Sequence, residues 1–121
     1  MKKLLYLAII LILGSCGRKV LTIKIDNLEV MTEDLGVMNW NDAVKACADL
    51  GDGWRLPTKD ELYILYKNKD KIGGFADFKY WSSTEGNFAN AGFEDFANAG
   101  FKDFGYGKFN YNYCVRAVRA F

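Results

Sequence analysis

The feature that most limits what this chain can become is its first sixteen residues. A basic start (Lys2, Lys3), an apolar run from Leu4 to Leu13, and the small pair Gly14 and Ser15 precede Cys16. That three-part order is the pattern of an export signal. A ten-residue apolar run in helical form reaches only ~15 Å, about half the hydrocarbon thickness of a bilayer, so it is too short to be a spanning helix. Removing fifteen of the 121 residues leaves 106, the size of one small domain with a single core.

Leu13-Gly14-Ser15-Cys16 resembles the lipobox, in which small residues let a dedicated peptidase cut before the cysteine once its thiol carries lipid. The alternative is an ordinary secretory signal with an incidental cysteine, and the fit of all three regions favours acylation. Two or more acyl chains, at ~0.8 kcal/mol per buried methylene, make a stable anchor where a single chain binds marginally. Residues 1–15 are therefore expected to be a lipoprotein signal peptide, 16–20 a lipidated N-terminus with a short tether, and 21–121 the folded domain. The membrane is the expected partner, through palmitate-type lipid on Cys16. Gly17 lacks the aspartate that signals inner-membrane retention in some bacteria, which favours the outer membrane.

The leader carries away Lys2 and Lys3, leaving 14 basic against 15 acidic side chains and a formal charge of −1. Such a balance does not draw the domain to nucleic acid. Histidine is absent, which removes the commonest general base, nucleophile activator and zinc ligand together. Aromatic residues make up 16% of the chain and proline occurs once, a composition that folds.

Along the chain, Leu21, Ile23 and Ile25 face one way and Thr22 and Lys24 the other, a strand pattern. Leu28 to Met31 predicts a second strand, and Glu33 to Gly36 a turn. Asn39 is a good N-cap with Asp42 three residues on, followed by Ala43, Val44, Cys47 and Leu50 at helical spacing and Gly51 as the stop. Thr58 and Glu61 form a second capping box after Pro57, ahead of Leu62, Leu65 and Tyr66. Tyr80 to Thr84 and Tyr111 to Phe121 read as strands around a long Gly, Asn and Phe-rich loop region. This order predicts an α+β domain.

Five blocks carry a family resemblance: Asn39-Trp40-Asn41-Asp42-Ala43, Gly53-Trp54-Arg55-Leu56-Pro57-Thr58, Glu61-Leu62, Tyr80-Trp81-Ser82-Ser83-Thr84 and Val115-Arg116-Ala117-Val118-Arg119. Together, across residues 28–121, they resemble the Lcl C-terminal family, bacterial envelope domains with a C-type-lectin-like fold. The resemblance implies two helices packed on a small twisted antiparallel sheet, with the chain ends close together and a long aromatic loop region beside the sheet. Trp54, Arg55, Pro57, Trp81, Arg116 and Arg119 are expected as structural residues bracing loops and strands. Arginines of this kind also suit bidentate recognition of an anion.

Relatives of that family often carry a late cysteine at the position of Ala117, whereas this chain has Cys114, and an odd shift along a strand changes face. Export and an even pair left after lipidation still favour a disulfide between Cys47 and Cys114, the alternative being two inert buried thiols. Such a bridge closes a loop of roughly 67 residues and stabilises by ~4 kcal/mol in the chain-entropy estimate.

A tandem repeat follows, Phe88 to Asp95 and then Phe96 to Asp103, in which only Glu94 and Lys102 differ. One reading is a duplication tolerated in a loop. The other is a displayed ligand surface formed by Phe88, Phe93, Phe96, Phe101 and Tyr106. The expected function is a non-catalytic module binding a glycan or an envelope protein through loops between Glu85 and Asn112. No metal and no cofactor are expected, since the sugar-site triplets of calcium-dependent lectins are missing from the late loops. A structural lipoprotein without a ligand is the alternative. An activity like that of formylglycine-generating enzymes, which share a related fold and use a cysteine pair, is disfavoured because no catalytic cluster is recognisable.

Overall fold

The computed structural model describes residues 10–13, 18–87, 90–98, 101–105, 108 and 111–121, with side chains described within 21–85, 91–98, 108 and 111–121. Cys16, Phe88 and Tyr106 lie outside the described residues, as does the side chain of Phe101.

The alternating segment after Cys16 forms β2 (Arg18–Ile25), which turns at Asp26 and Asn27 into β3 (Leu28–Met31). Asp26 holds the tight turn with φ of 55°, a left-handed conformation that aspartate tolerates better than most residues. Thr22 is buried, although Lys24 on the same side of the strand is exposed. The Thr22 hydroxyl donates to Glu29 Oε2 at 2.7 Å, and Arg119 Nε donates to the other carboxylate oxygen at 2.9 Å, so a satisfied polar cluster replaces an apolar contact. Burial pushes the Glu29 carboxyl up, but the Thr22 and Arg119 bonds outweigh it and hold the group below its ordinary range. β1 (Ile10–Leu13), expected only as leader, pairs antiparallel with the start of β2. An apolar segment beside an open sheet edge satisfies its backbone by adding to it.

The terminal block was expected as one strand and forms two. β8 (Tyr113–Val115) and β9 (Val118–Ala120) belong to different sheets, divided at Arg116 and Ala117. β9 joins β3, giving the first sheet the order β1-β2-β3-β9. The second sheet has the order β4-β8-β5-β6-β7, from β4 (Gly36–Met38), β8, β5 (Lys79–Asn87), β6 (Asn90–Asp95) and β7 (Phe101–Gly105). Its β5–β8 contact is parallel, so the expected wholly antiparallel sheet is corrected to a mixed one. The region expected as a long loop is mostly a pair of hairpins, β5–β6 and β6–β7.

Helix α1 (Trp40–Ala48) is capped by Asn39, whose Oδ1 accepts from the Asp42 N–H at 2.9 Å. Its buried stripe is Ala43 and Cys47; Val44, expected inside, is 39% exposed. Helix α2 (Lys59–Lys67) has the full capping box, Glu61 N–H to Thr58 Oγ1 and Thr58 N–H to Glu61 Oε1, and buries Leu62 and Leu65. A single turn, α3 (Lys69–Ile72), follows, ending at Gly73 and Gly74.

Strand alternation in the second sheet sorts its side chains into two clusters. Trp81, Phe93, Tyr113 and Val115 pack with Ala43 and Cys47 of α1. Tyr80, Phe96 and Cys114 pack with Leu62 and Leu65 of α2 and with Ile25, Leu28 and Val30 of the first sheet. The period of two thus places α1 and α2 over different side-chain sets of one α+β domain. Among the described residues no helix is long and apolar enough to cross a membrane.

Candidate functional site

The two cysteines expected to bridge are free and buried. Cys47 belongs to the α1 cluster and Cys114 to the α2 cluster, so the single-residue alternation of β8 keeps the sulfurs apart. Ala117 shares the Cys47 cluster and is fully buried. Burial pushes the Cys47 thiol up to about 12, and burial with the Asp34 charge raises Cys114, so neither is a thiolate at neutral pH.

Three arginines join separate segments. Arg55 grips both carboxylate oxygens of Glu61 at 2.7 and 3.0 Å. Its own backbone forms a two-way bridge with Val118, both N···O distances being 2.9 Å. Arg119 lies over the Trp54 ring at 4.6 Å and bonds the Asp52 carbonyl. Arg116, fully buried, places Nε 2.9 Å and Nη2 2.8 Å from Asp34 Oδ1, donates from Nη1 to the Met31 and Gly73 carbonyls, and stacks on Phe75 at 3.9 Å. Asp34 also accepts from the Tyr80 hydroxyl at 2.7 Å, and burial with this bond raises the Tyr80 pKa strongly. Gly74 packs under this knot, where a Cβ would fall 2.3 Å from the Thr32 carbonyl oxygen. An open cavity of about 250 Å³ lies outside it, lined by Lys69, Asp70, Gly73, Phe75 and Asp77 among others.

Trp54, Pro57 and Trp81 are buried; the Pro57 carbonyl accepts from Ser83 N–H, and Trp81 Nε1 donates to the Met38 carbonyl at 2.8 Å. These motif residues are framework rather than an open site. On the same side, Trp40 donates to the Ser82 carbonyl while Lys108 sits over its ring at 4.4 Å and pairs with Glu85.

The expected phenylalanine surface is corrected at two positions. Phe93 is 7% exposed because β6 is an inner strand and not a loop, and Phe96, just past its end, is 1% exposed. Phe96 packs on Tyr66, Phe75 and Tyr80, with ring centroids at 5.3, 4.8 and 4.5 Å. Aromatic area that does reach solvent lies elsewhere. Tyr113, itself 9% exposed, contacts Trp81 and Phe93 inwardly and Phe78 and Tyr111 outwardly, both of the latter at 6.1 Å. Phe78 is 38% and Tyr111 46% exposed, and the Tyr111 ring lies within 5° of parallel to Tyr113. Lys79 Nζ stands 5.5 Å from the Phe78 ring. The strip is anchored at its centre by the core and open at both ends. Tyr111 fell inside the loop region singled out from sequence; Phe78, outside it, had no signal beyond being aromatic before a strand.

No family model matches this sequence, and no curated protein matches it significantly.

Proposed function

We propose that this chain is a lipid-anchored bacterial envelope protein, favouring the outer membrane, whose C-type-lectin-like domain of the Lcl C-terminal kind binds a glycan without catalysis. The anchor rests on the leader and Cys16. Arg18, where β2 begins, is two residues beyond Cys16, at most about 7 Å of extended chain, so the domain works against the membrane surface. Cleavage before Cys16 removes β1 and leaves β2 as a sheet edge carrying Arg18, Lys19 and Lys24, charges of the kind that blunt edge-to-edge association.

The observation that carries the binding reading is the strip of Phe78, Tyr113 and Tyr111. Rings held by a buried neighbour lose little freedom on contact, which suits stacking on the apolar face of a sugar. Two exposed rings are far short of the ~1,000 Å² that a specific protein interface needs, so a glycan fits better than a protein partner. Polar sequence neighbours Asp77, Lys79 and Asn112 supply hydrogen-bonding groups. The thiols, protonated at neutral pH, and the paired carboxylates support recognition over turnover.

Binding of the chain to envelope polysaccharide, followed by calorimetry, tests this reading. Tyr111→Ala and Phe78→Ala are each expected to weaken affinity about tenfold, on the order of one aromatic contact, with unchanged melting. Equal affinity in both variants would discard the strip, and binding only to envelope proteins would replace the ligand class.

A further inference from the structure

The tandem repeat creates an ambiguity of strand register that one residue resolves. Residues 88–95 and 96–103 differ only at Glu94 and Lys102, and Phe104 continues the spacing begun by Phe88 and Phe96. The first copy supplies inner strand β6, and the second supplies buried Phe96 and then Phe101 to Asp103, the first part of β7, which lies next to β6 at the end of the sheet order. Their pairing sets Phe93 against Lys102 and Glu94 against Phe101, so the two copies lie beside each other offset by one residue from like-to-like pairing.

Sliding the chain by eight residues brings Asn98 to Asp103 into the places of Asn90 to Asp95, and Phe104 into that of Phe96. Eight is even, so every side chain keeps its face. Ala91 and Phe93 are replaced by Ala99 and Phe101, and the deeply packed Phe96 by Phe104, with no change of residue type. The apolar pattern, which ordinarily fixes register, cannot distinguish the two arrangements. Only the position of Glu94 can. It is 1% exposed and pairs with Tyr80 on β5, whereas Lys102 is placed on an edge strand, where charge is tolerated.

We propose that Glu94 sets the register of the second sheet: the chain holds two interchangeable copies of its inner strand, and the Glu94/Lys102 difference confines the second copy to the edge. In the slipped arrangement a lysine, longer than glutamate and opposite in charge, enters the buried place of Glu94, and taking its ammonium out of water there is strongly unfavourable. The first copy then becomes an eight-residue extension of the β5–β6 turn, and nine residue steps still join Phe104 to Tyr113, a reach of about 30 Å. The repeat is thus a spare strand held in reserve.

Two deletions isolate the slot. Full chains lacking residues 88–95 or lacking residues 96–103 have the same length and differ only by Lys or Glu at the slot. Both are expected to fold, the lysine chain melting at least about 10 °C lower. Equal melting temperatures overturn the role of Glu94, and failure of the chain lacking 96–103 to fold overturns interchangeability. In the full-length double variant Glu94→Lys/Lys102→Glu, hydrogen exchange followed by mass spectrometry should show slow amides moved from 90–95 to 98–103. Protection that stays on 90–95, or a chain that unfolds, contradicts the proposal.

Discussion

Arg116→Ala is expected to lower unfolding free energy by about 3–5 kcal/mol, the range for removing one partner of a buried ion pair. The guanidinium is fully buried and serves three groups on two segments: the Met31 carbonyl at the end of β3, Asp34 three residues on, and the Gly73 carbonyl after α3. Alanine leaves Asp34 with the Tyr80 hydroxyl as its remaining bonded partner among those described, and strands the buried Met31 carbonyl while the partly buried Gly73 carbonyl loses its donor. The stack on Phe75 is lost as well. Arg116→Lys should recover little, because an ammonium cannot reproduce the planar fork that reaches carboxylate and carbonyls together. Urea unfolding followed by tryptophan fluorescence reads the effect, and a loss below about 1 kcal/mol would show that the knot is not what joins the two sheets.

Ala117→Cys is expected to create the disulfide that the native cysteines do not form. Ala117 and Cys47 are both fully buried in one cluster, whereas Cys114 packs in the other. After oxidation and unfolding, Cys114 should be the one alkylatable thiol among positions 47, 114 and 117, against two at positions 47 and 114 in the unsubstituted chain. The closed loop of roughly 70 residues should add ~4 kcal/mol in the chain-entropy estimate, lost on reduction. Three free thiols in the oxidised variant would mean that the cluster does not bring the two positions within bonding range, about 5.5 Å between Cα atoms. The same result would weaken the family resemblance, which sets a late cysteine at this position.

Local chemistry was the most legible part of the sequence. The Asn39 and Thr58 caps act over three residues, and both helices begin where those side chains place them. Features decided by distant partners were less so. Thr22 turns inward because Glu29 accepts from its hydroxyl and is itself held by Arg119, 97 residues from Thr22 in sequence, which alternation alone does not anticipate. Val44 fits the helical stripe but meets solvent, since the stripe that α1 needs is only as wide as Ala43 and Cys47. The terminal block looks like one strand because both halves alternate; the buried Arg116 between them, bonded to Asp34, sends them to different sheets. The repeat read as a loop because glycine and asparagine are frequent in it, yet its first copy supplies an inner strand that buries Ala91 and Phe93. The proposed ligand surface accordingly lies at Phe78 and Tyr111 and not at Phe93 and Phe96. The odd offset of Cys114 from the family's late cysteine was legible from the start, and the separate clusters follow that parity.

The proposed membrane address rests on lipid at Cys16, and metabolic labelling with an alkyne fatty acid reads it directly. Cells expressing the full chain should yield a labelled protein in the membrane fraction, about fifteen residues shorter than the precursor, and Cys16→Ser should abolish both label and cleavage. A processed protein that is released without label would contradict a lipid anchor and leave the domain free of the membrane.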